Sequence, residues 1–270
     1  SLKRMKNIQK YSANGNDFII LDSDFGQTLN RPQIKLLCHR KNGIGADGLM
    51  FATSSDDANF RMHFYNSDGS EGQMCGNGAR ALTHYVMTST SWSLTQGAFI
   101  AGDGRHQFRI ENNHQVWVEI LTQGGFTPHN IQGFRGNSCK VGVDHLVVPT
   151  QNLKALDINK IGKALCFDPA FPKQINVNFI EASNGSYQIR TFERGVFAET
   201  DACGTGATAA AKYLESLGNN EWPKSFEFKG GTLYVNKNDG RYWLSGDINF
   251  LFDATLGKDI LADSKQLGNE

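Results

Sequence analysis

The chain has 270 residues, with 27 Lys plus Arg, 27 Asp plus Glu and a formal net charge of zero. That length bounds it at one large domain or two of average size, with ample residues for an apolar core. The balanced charge argues against nucleic acid or an anionic membrane as partner, and 39% hydrophobic residues indicate a folded chain. Five widely spaced cysteines (Cys38, Cys75, Cys139, Cys166, Cys203) do not form a secreted disulfide framework. The opening SLKRMKNIQKYS lacks the apolar core of a signal peptide, and no apolar run approaches membrane-spanning length. A cytoplasmic location is the expectation.

The first clear element is the apolar run Asp17 to Leu21, after the turn signal Asn14-Gly15-Asn16. A helix is predicted from Arg31 to Cys38, capped by Asn30 and with Pro32 in its first turn. Glycines crowd into a loop from Gly43 to Gly48. Phe60, Met62 and Phe64 alternate with Arg61, His63 and Tyr65, the period of a strand. A helix is predicted from Gly78 to Met87, then strands at Gln107 to Ile110, Val116 to Ile120 and Val143 to Val148. Further helices read at Ile158 to Leu165 and Gly206 to Leu217, the latter stopped by Gly218. Ile175 to Ile180 and Tyr187 to Phe192 flank the hairpin signal Asn184-Gly185. Leu233 to Asn236 and Tyr242 to Leu244 flank a second, Asp239-Gly240. The sum is mixed α and β, without the βαβ spacing of a doubly wound sheet.

One repeat dominates. Cys75-Gly76-Asn77-Gly78-Ala79-Arg80-Ala81 returns as Cys203-Gly204-Thr205-Gly206-Ala207-Thr208-Ala209, 128 positions later (203 less 75). The same offset carries Phe64 to Phe192 and Asn66 to Arg194. An offset of 127 carries Gly15-Asn16-Asp17-Phe18 to Gly142-Val143-Asp144-His145. Such a repeat implies a duplicated α+β unit. The expected domains are 1–120, completed by the tail 251–270, and 121–250.

Each repeat sets a cysteine ahead of a glycine-flanked helix start. Backbone N–H groups and the helix dipole there favour a bound anion and the thiolate form of a neighbouring cysteine. If the two halves face each other, one pocket holds two cysteines and two helix starts. That suits proton removal on one face of a carbon α to a carboxylate, and delivery on the other. A single such cysteine reads as a small buried hydrophobe. Zinc on two cysteines with His39, His63 or His145 lacks ligand spacing, so no metal is expected. The Gly43 to Gly48 loop lacks the Lys-Ser/Thr of a phosphate loop, and no lysine stands out as a cofactor anchor. Asn16, Asn66, Asn77, Asn176, Glu193, Arg194, Glu199 and Thr205 are the polar candidates around the motifs, each also readable as a turn residue or solvated group. Arg194 suits a bidentate grip on a carboxylate, or a local ion pair.

Six segments together resemble the diaminopimelate epimerase family. They are Asn14 to Phe18, Gly43 to Gly48, Asn66 to Glu71, Cys75 to Arg80, Glu193-Arg194-Gly195 and Ala202 to Gly206, in the family's order. The resemblance implies two similar domains, each a curled mixed sheet around a central helix. It implies cofactor-free epimerisation of LL-diaminopimelate to the meso form, with Cys75 and Cys203 as the two catalytic bases. Asn16, Gly76, Asn77, Glu193, Gly204 and Thr205 match residues around the reacting centre. Asn66, Asn176 and Arg194 match those that hold the substrate's distal end. The resemblance also suggests a homodimer. Two departures stand out. Val143 occupies the place of an asparagine that helps hold the distal end, and Gly195 to Thr200 reads as one residue too long. These departures keep open a related racemase with another amino-acid substrate. A non-catalytic amino-acid-binding protein on the same scaffold is a further alternative.

Overall fold

The computed structural model describes residues 7–89, 94–111, 115–257 and 260–261. The chain divides into two compact units, Ser1–Val116 with Ile248–Glu270, and Trp117–Asp247.

The first unit runs β1 (Asn7–Ala13), β2 (Asn16–Leu21), α1 (Ser23–Gly26), α2 (Arg31–Cys38), β3 (Gly48–Thr53), β4 (Phe60–Asn66), β5 (Glu71–Gly72), α3 (Gly76–Ser89), β6 (Gln96–Ala101) and β7 (Gly104–Ile110). The N-terminus of α2 is closed by a reciprocal cap. Asn30 Oδ1 accepts from the Gln33 backbone, and Gln33 Oε1 accepts from the Asn30 backbone, both at 3.0 Å. β1 pairs antiparallel with β2, β2 parallel with β3, β3 antiparallel with β4, β4 parallel with β6, and β6 antiparallel with β7. The two parallel pairs are joined through helices, so local βαβ crossovers sit inside an otherwise antiparallel sheet. The sequence alone hid them, because their strands lack a regular spacing. β2 is buried on both faces. Ile19 and Leu21 pack with Ile34 and Leu37 of α2. Phe18 and Ile20 point to the opposite face, where α3 packs.

The second unit repeats the plan: β8 (Val116–Ile120), β9 (Thr122–Ile131), β10 (Phe134–Val141), β11 (Val143–Pro149), α4 (Ile158–Cys166), β12 (Asn176–Ser183), β13 (Ser186–Glu193), β14 (Ala198–Thr200), α5 (Gly204–Ser216), β15 (Lys224–Phe228), β16 (Gly231–Asn238) and β17 (Arg241–Gly246). Here β11 pairs parallel with β12, β12 antiparallel with β13, and β13 parallel with β15. α4 packs with Leu146, Val177 and Phe192 in one cluster, and α5 packs against β10, β11, β12, β16 and β17. Each unit is a curled mixed sheet around a central helix, α3 or α5. A final strand, β18 (Asn249–Thr255), returns to the first unit and pairs antiparallel with β1.

Strand register corrects part of the sequence alignment between repeats. β4 meets β6 at Phe60 and Phe99, and β13 meets β15 at Tyr187 and Phe226. The equivalent of Asn66 is therefore Glu193, not Arg194, and that of Phe64 is Thr191, not Phe192. The offset regains one residue in the turn after each strand. Asn66 N–H donates to Ser70 O, whereas Glu193 pairs with Ala198, one residue further on. The longer turn holds Gly195 and Phe197 at positive φ and exposes Val196 and Phe197.

Candidate active site

Cys75 is half-buried and immediately precedes α3. The Gly78 N–H points at its Sγ at 3.5 Å, and the Ala79 N–H bonds its carbonyl at 2.7 Å. Gly78 leaves little room for a side chain there: a Cβ would lie 2.8 Å from Met50 Sδ, so the methionine would have to shift. Asn77, on the first turn, is buried, and its Nδ2 donates to Asn16 Oδ1 at 2.8 Å. Asn16 Nδ2 in turn donates to Asp47 Oδ2 at 3.2 Å. Beneath this chain Asp17 bonds Arg40 through two oxygens and Lys10 at 2.7 Å. Burial works to raise the Asp17 pKa, but Arg40 and Lys10 outweigh it and hold the carboxyl well below its usual range. The structure thus brings together Cys75, Gly76, Asn77 and Asn16. Asn66 lies apart from these hydrogen bonds, at the end of β4, where Nδ2 donates to Ser70 Oγ at 3.1 Å.

Cys203 is buried and is the N-cap of α5, with Sγ accepting from the Gly206 N–H at 3.4 Å. Thr205 Oγ1 lies 3.6 Å from the same sulfur. Under the helix start, Asn178 Nδ2 donates to His145 Nδ1 at 3.1 Å and to Leu146 O at 3.2 Å, while its Oδ1 accepts from Thr191. Gly206 touches this amide: a Cβ would sit 2.2 Å from Asn178 Oδ1. Burial, with Arg194 adding to it, pushes the His145 pKa down to about 3 against the opposing Asn178 bond, so the ring is neutral.

Asn176, Glu193 and Arg194 meet at the paired ends of β12 and β13. The Arg194 N–H donates to Asn176 Oδ1 at 2.7 Å, and the Arg194 guanidinium reaches Lys173 O at 3.2 Å. Burial raises the Glu193 carboxyl above its ordinary value, with the nearby Thr200 hydroxyl opposing it. Glu199 is occupied by two 2.7 Å bonds from Arg190. Val143 opens β11; it offers no polar side-chain atom. Burial pushes the thiols of Cys38 and Cys139 up to about 11, and that of Cys166 upward, which disfavours their thiolate forms. His39 and His63 serve local bonds, to the Asn42 backbone and to Thr53. Among the described residues no three His, Cys, Asp or Glu side chains are grouped to hold a metal ion. No described helix is long and apolar enough to cross a membrane.

Asp47, Asn178 and His145 were not among the polar candidates of the sequence. An aspartate in a glycine loop and an asparagine inside an apolar strand carry no signal until their partners are known. The buried charge of Lys10 is hidden in the same way.

A duplicated α+β unit with a cysteine at the start of each central helix defines a class by fold. A hydroxyproline epimerase from Agrobacterium vitis superposes with a TM-score of 0.66 at 13% identity, covering 94% of this chain and 91% of that one. A phenazine biosynthesis protein of the PhzF family from Enterococcus faecalis superposes at 0.73 and 12% identity, covering 94% and 99%. At the level of sequence the match narrows. The family model described as diaminopimelate epimerase matches residues 8–118 and 138–247. A diaminopimelate epimerase of Flavobacterium psychrophilum is 32% identical over 92% of this chain and 99% of its own length. One of Archaeoglobus fulgidus is 30% identical over 92% and 95%. The chain belongs to the diaminopimelate epimerase family, and is an isomerase of the cofactor-independent amino-acid epimerase and racemase class.

Proposed function

We propose that the protein epimerises LL-diaminopimelate to meso-diaminopimelate by two-base proton transfer through Cys75 and Cys203. One cysteine, as thiolate, takes the α-proton: the C–H bond breaks and an S–H bond forms. The other, as thiol, returns a proton to the opposite face of the carbon, and the roles swap in the reverse direction. The backbone N–H groups that open α3 and α5, including those of Gly76, Asn77, Gly204 and Thr205, stabilise the charge that develops towards the carboxylate. Asn16 and Glu193 complete the surroundings of the reacting carbon. Asn66, Asn176 and Arg194 hold the distal amino and carboxylate groups.

The observation that carries this reading is the repeated cysteine geometry. In both units the sulfur lies immediately before the central helix and takes the N–H of the third residue on, at 3.5 and 3.4 Å. The three remaining cysteines are buried and precede no central helix. The choice of substrate is supported by the relatives' activity and by the Asn176–Arg194 contact. A second reading, racemisation of another amino acid, is favoured by Val143 and by the longer turn after Glu193.

The test is α-proton exchange in deuterated water with reductant, using LL-diaminopimelate beside a panel of single-centre L-amino acids and chiral analysis of products. Exchange and inversion of diaminopimelate alone support the proposal, and reaction only of another amino acid moves the assignment to the second reading. Replacing either Cys75 or Cys203 by alanine is expected to abolish inversion. A rate near that of the parent enzyme in either variant overturns the two-base mechanism.

A further inference from the structure

The polarity of the amide chain beside Cys75 is determined by its far end. A carboxylate only accepts hydrogen bonds. Asp47 Oδ2 accepts from the Asp17 N–H at 3.1 Å and from the Asn16 side chain at 3.2 Å. Asn16 therefore turns its NH2 to Asp47 and its carbonyl oxygen to Asn77. That oxygen can only be met by the Asn77 NH2, at 2.8 Å. What remains is Asn77 Oδ1, buried and with no hydrogen-bond partner among the described residues. Asn77 itself is 3% exposed. A buried acceptor left unfilled costs free energy unless a ligand supplies the donor.

We infer that Asp47 is a positioning residue: through Asn16 it holds the Asn77 amide so that a carbonyl oxygen, and not an NH2 group, is the open polar atom two residues past Cys75. The group left unfilled there is thus an acceptor, which only an N–H or O–H donor can fill. Asp47 does this from the edge of the site. Its carboxylate is 41% exposed and its other oxygen meets Arg40 at 2.9 Å. Without the Asp47 acceptor the two amides can reverse together at no cost in hydrogen bonds, and both orientations become populated. The inference rests on reading the Cys75 motif as part of the active site.

The test uses Asp47→Leu and Asp47→Asn in the full-length protein. Asn at 47 still offers an amide oxygen to Asn16, while Arg40, 59% exposed, can turn to water. Leu offers nothing. The first readout is the side-chain NH2 signal of Asn77 in 15N-labelled protein, assigned by its loss in Asn77→Ser. One sharp pair is expected in the parent and in Asp47→Asn, and a doubled or exchange-broadened pair in Asp47→Leu. The second is α-proton exchange on the best amino-acid substrate. A fall of about threefold or more in kcat/KM is expected for Asp47→Leu, with Asp47→Asn close to the parent. If Asp47→Leu misfolds, Asp47→Ala makes the same cut without added bulk. A single sharp Asn77 pair in Asp47→Leu overturns the inference, as does equal loss of activity in both variants. The first readout needs no substrate, so it decides the matter even if the assigned reaction is wrong.

Discussion

Acidification from pH 8 to pH 5 is expected to cost the protein about 2 kcal/mol through one side chain, His145. The ring is fully buried, with Nδ1 committed to Asn178, and burial, reinforced by Arg194, holds its pKa at about 3. In the unfolded chain the same group titrates near its model value of 6.5. Between those two values the unfolded state carries a proton that the folded state refuses. Stability therefore rises with pH through the window from about 3 to 6.5, and is lost as pH falls through it. At pH 5 the unfolded histidine is about 1.5 units below its pKa, which at roughly 1.4 kcal/mol per unit gives the figure above. The assay is urea unfolding at the two pH values for the parent and for His145→Gln, which keeps an acceptor for Asn178 but does not titrate. The parent loses about 2 kcal/mol more than the variant between pH 8 and pH 5 if the reasoning is right. Parallel losses in the two proteins would refute it, and so would an imidazole signal from His145 that titrates near pH 6.5.

Four further outcomes follow from other contacts. Asp17→Asn leaves the Lys10 ammonium, 8% exposed, without its charge partner, and is expected to cost about 3 kcal/mol in urea unfolding. Arg40→Leu, which removes a side chain that is 59% exposed, is expected to cost less than about 1 kcal/mol by the same measurement. Asn30→Ala removes the reciprocal cap of α2 and lowers stability by about 1 kcal/mol, seen as a lower urea midpoint with unchanged slope. Gly206→Ala drives a Cβ into Asn178 Oδ1 at 2.2 Å, so either the buried Asn178 amide or the start of α5 beside Cys203 must give way. It is expected to lose activity by at least about tenfold, with circular dichroism at room temperature unchanged.

Elements with strong local grammar are legible in the sequence. Asn30 and Pro32 announced α2, Gly218 ended α5, and Asn184-Gly185 and Asp239-Gly240 made hairpins where expected. Strands without that grammar were missed. β9 carries Gly124, Gly125 and Pro128 and is mostly exposed, so it reads as a loop. β18 is exposed along nearly its whole length and shows no alternation. β1, with lysine and serine among its residues, hides a buried Lys10 whose charge is met by Asp17 on the neighbouring strand β2 and whose ammonium also reaches the Gly45 carbonyl. The cysteine motifs were legible because they occur twice. The one-residue step between Asn66 and Glu193 was not, because two phenylalanines at the same offset matched more persuasively than the true register.

The outer strand of the first unit is laid down last. β18 pairs Thr255 with Asn7 and Phe250 with Tyr11, so β1 keeps one edge open until almost the whole chain has been synthesised. The second unit, by contrast, is one continuous run of residues 117 to 247. On the ribosome that run is complete before β18 emerges, whereas the first unit must close a loop of more than two hundred residues to finish its sheet. The half of the protein translated first is thus the half that is finished second. In the interval, an unpaired strand edge at β1 is the surface on which a nascent chain of this kind is open to mispairing.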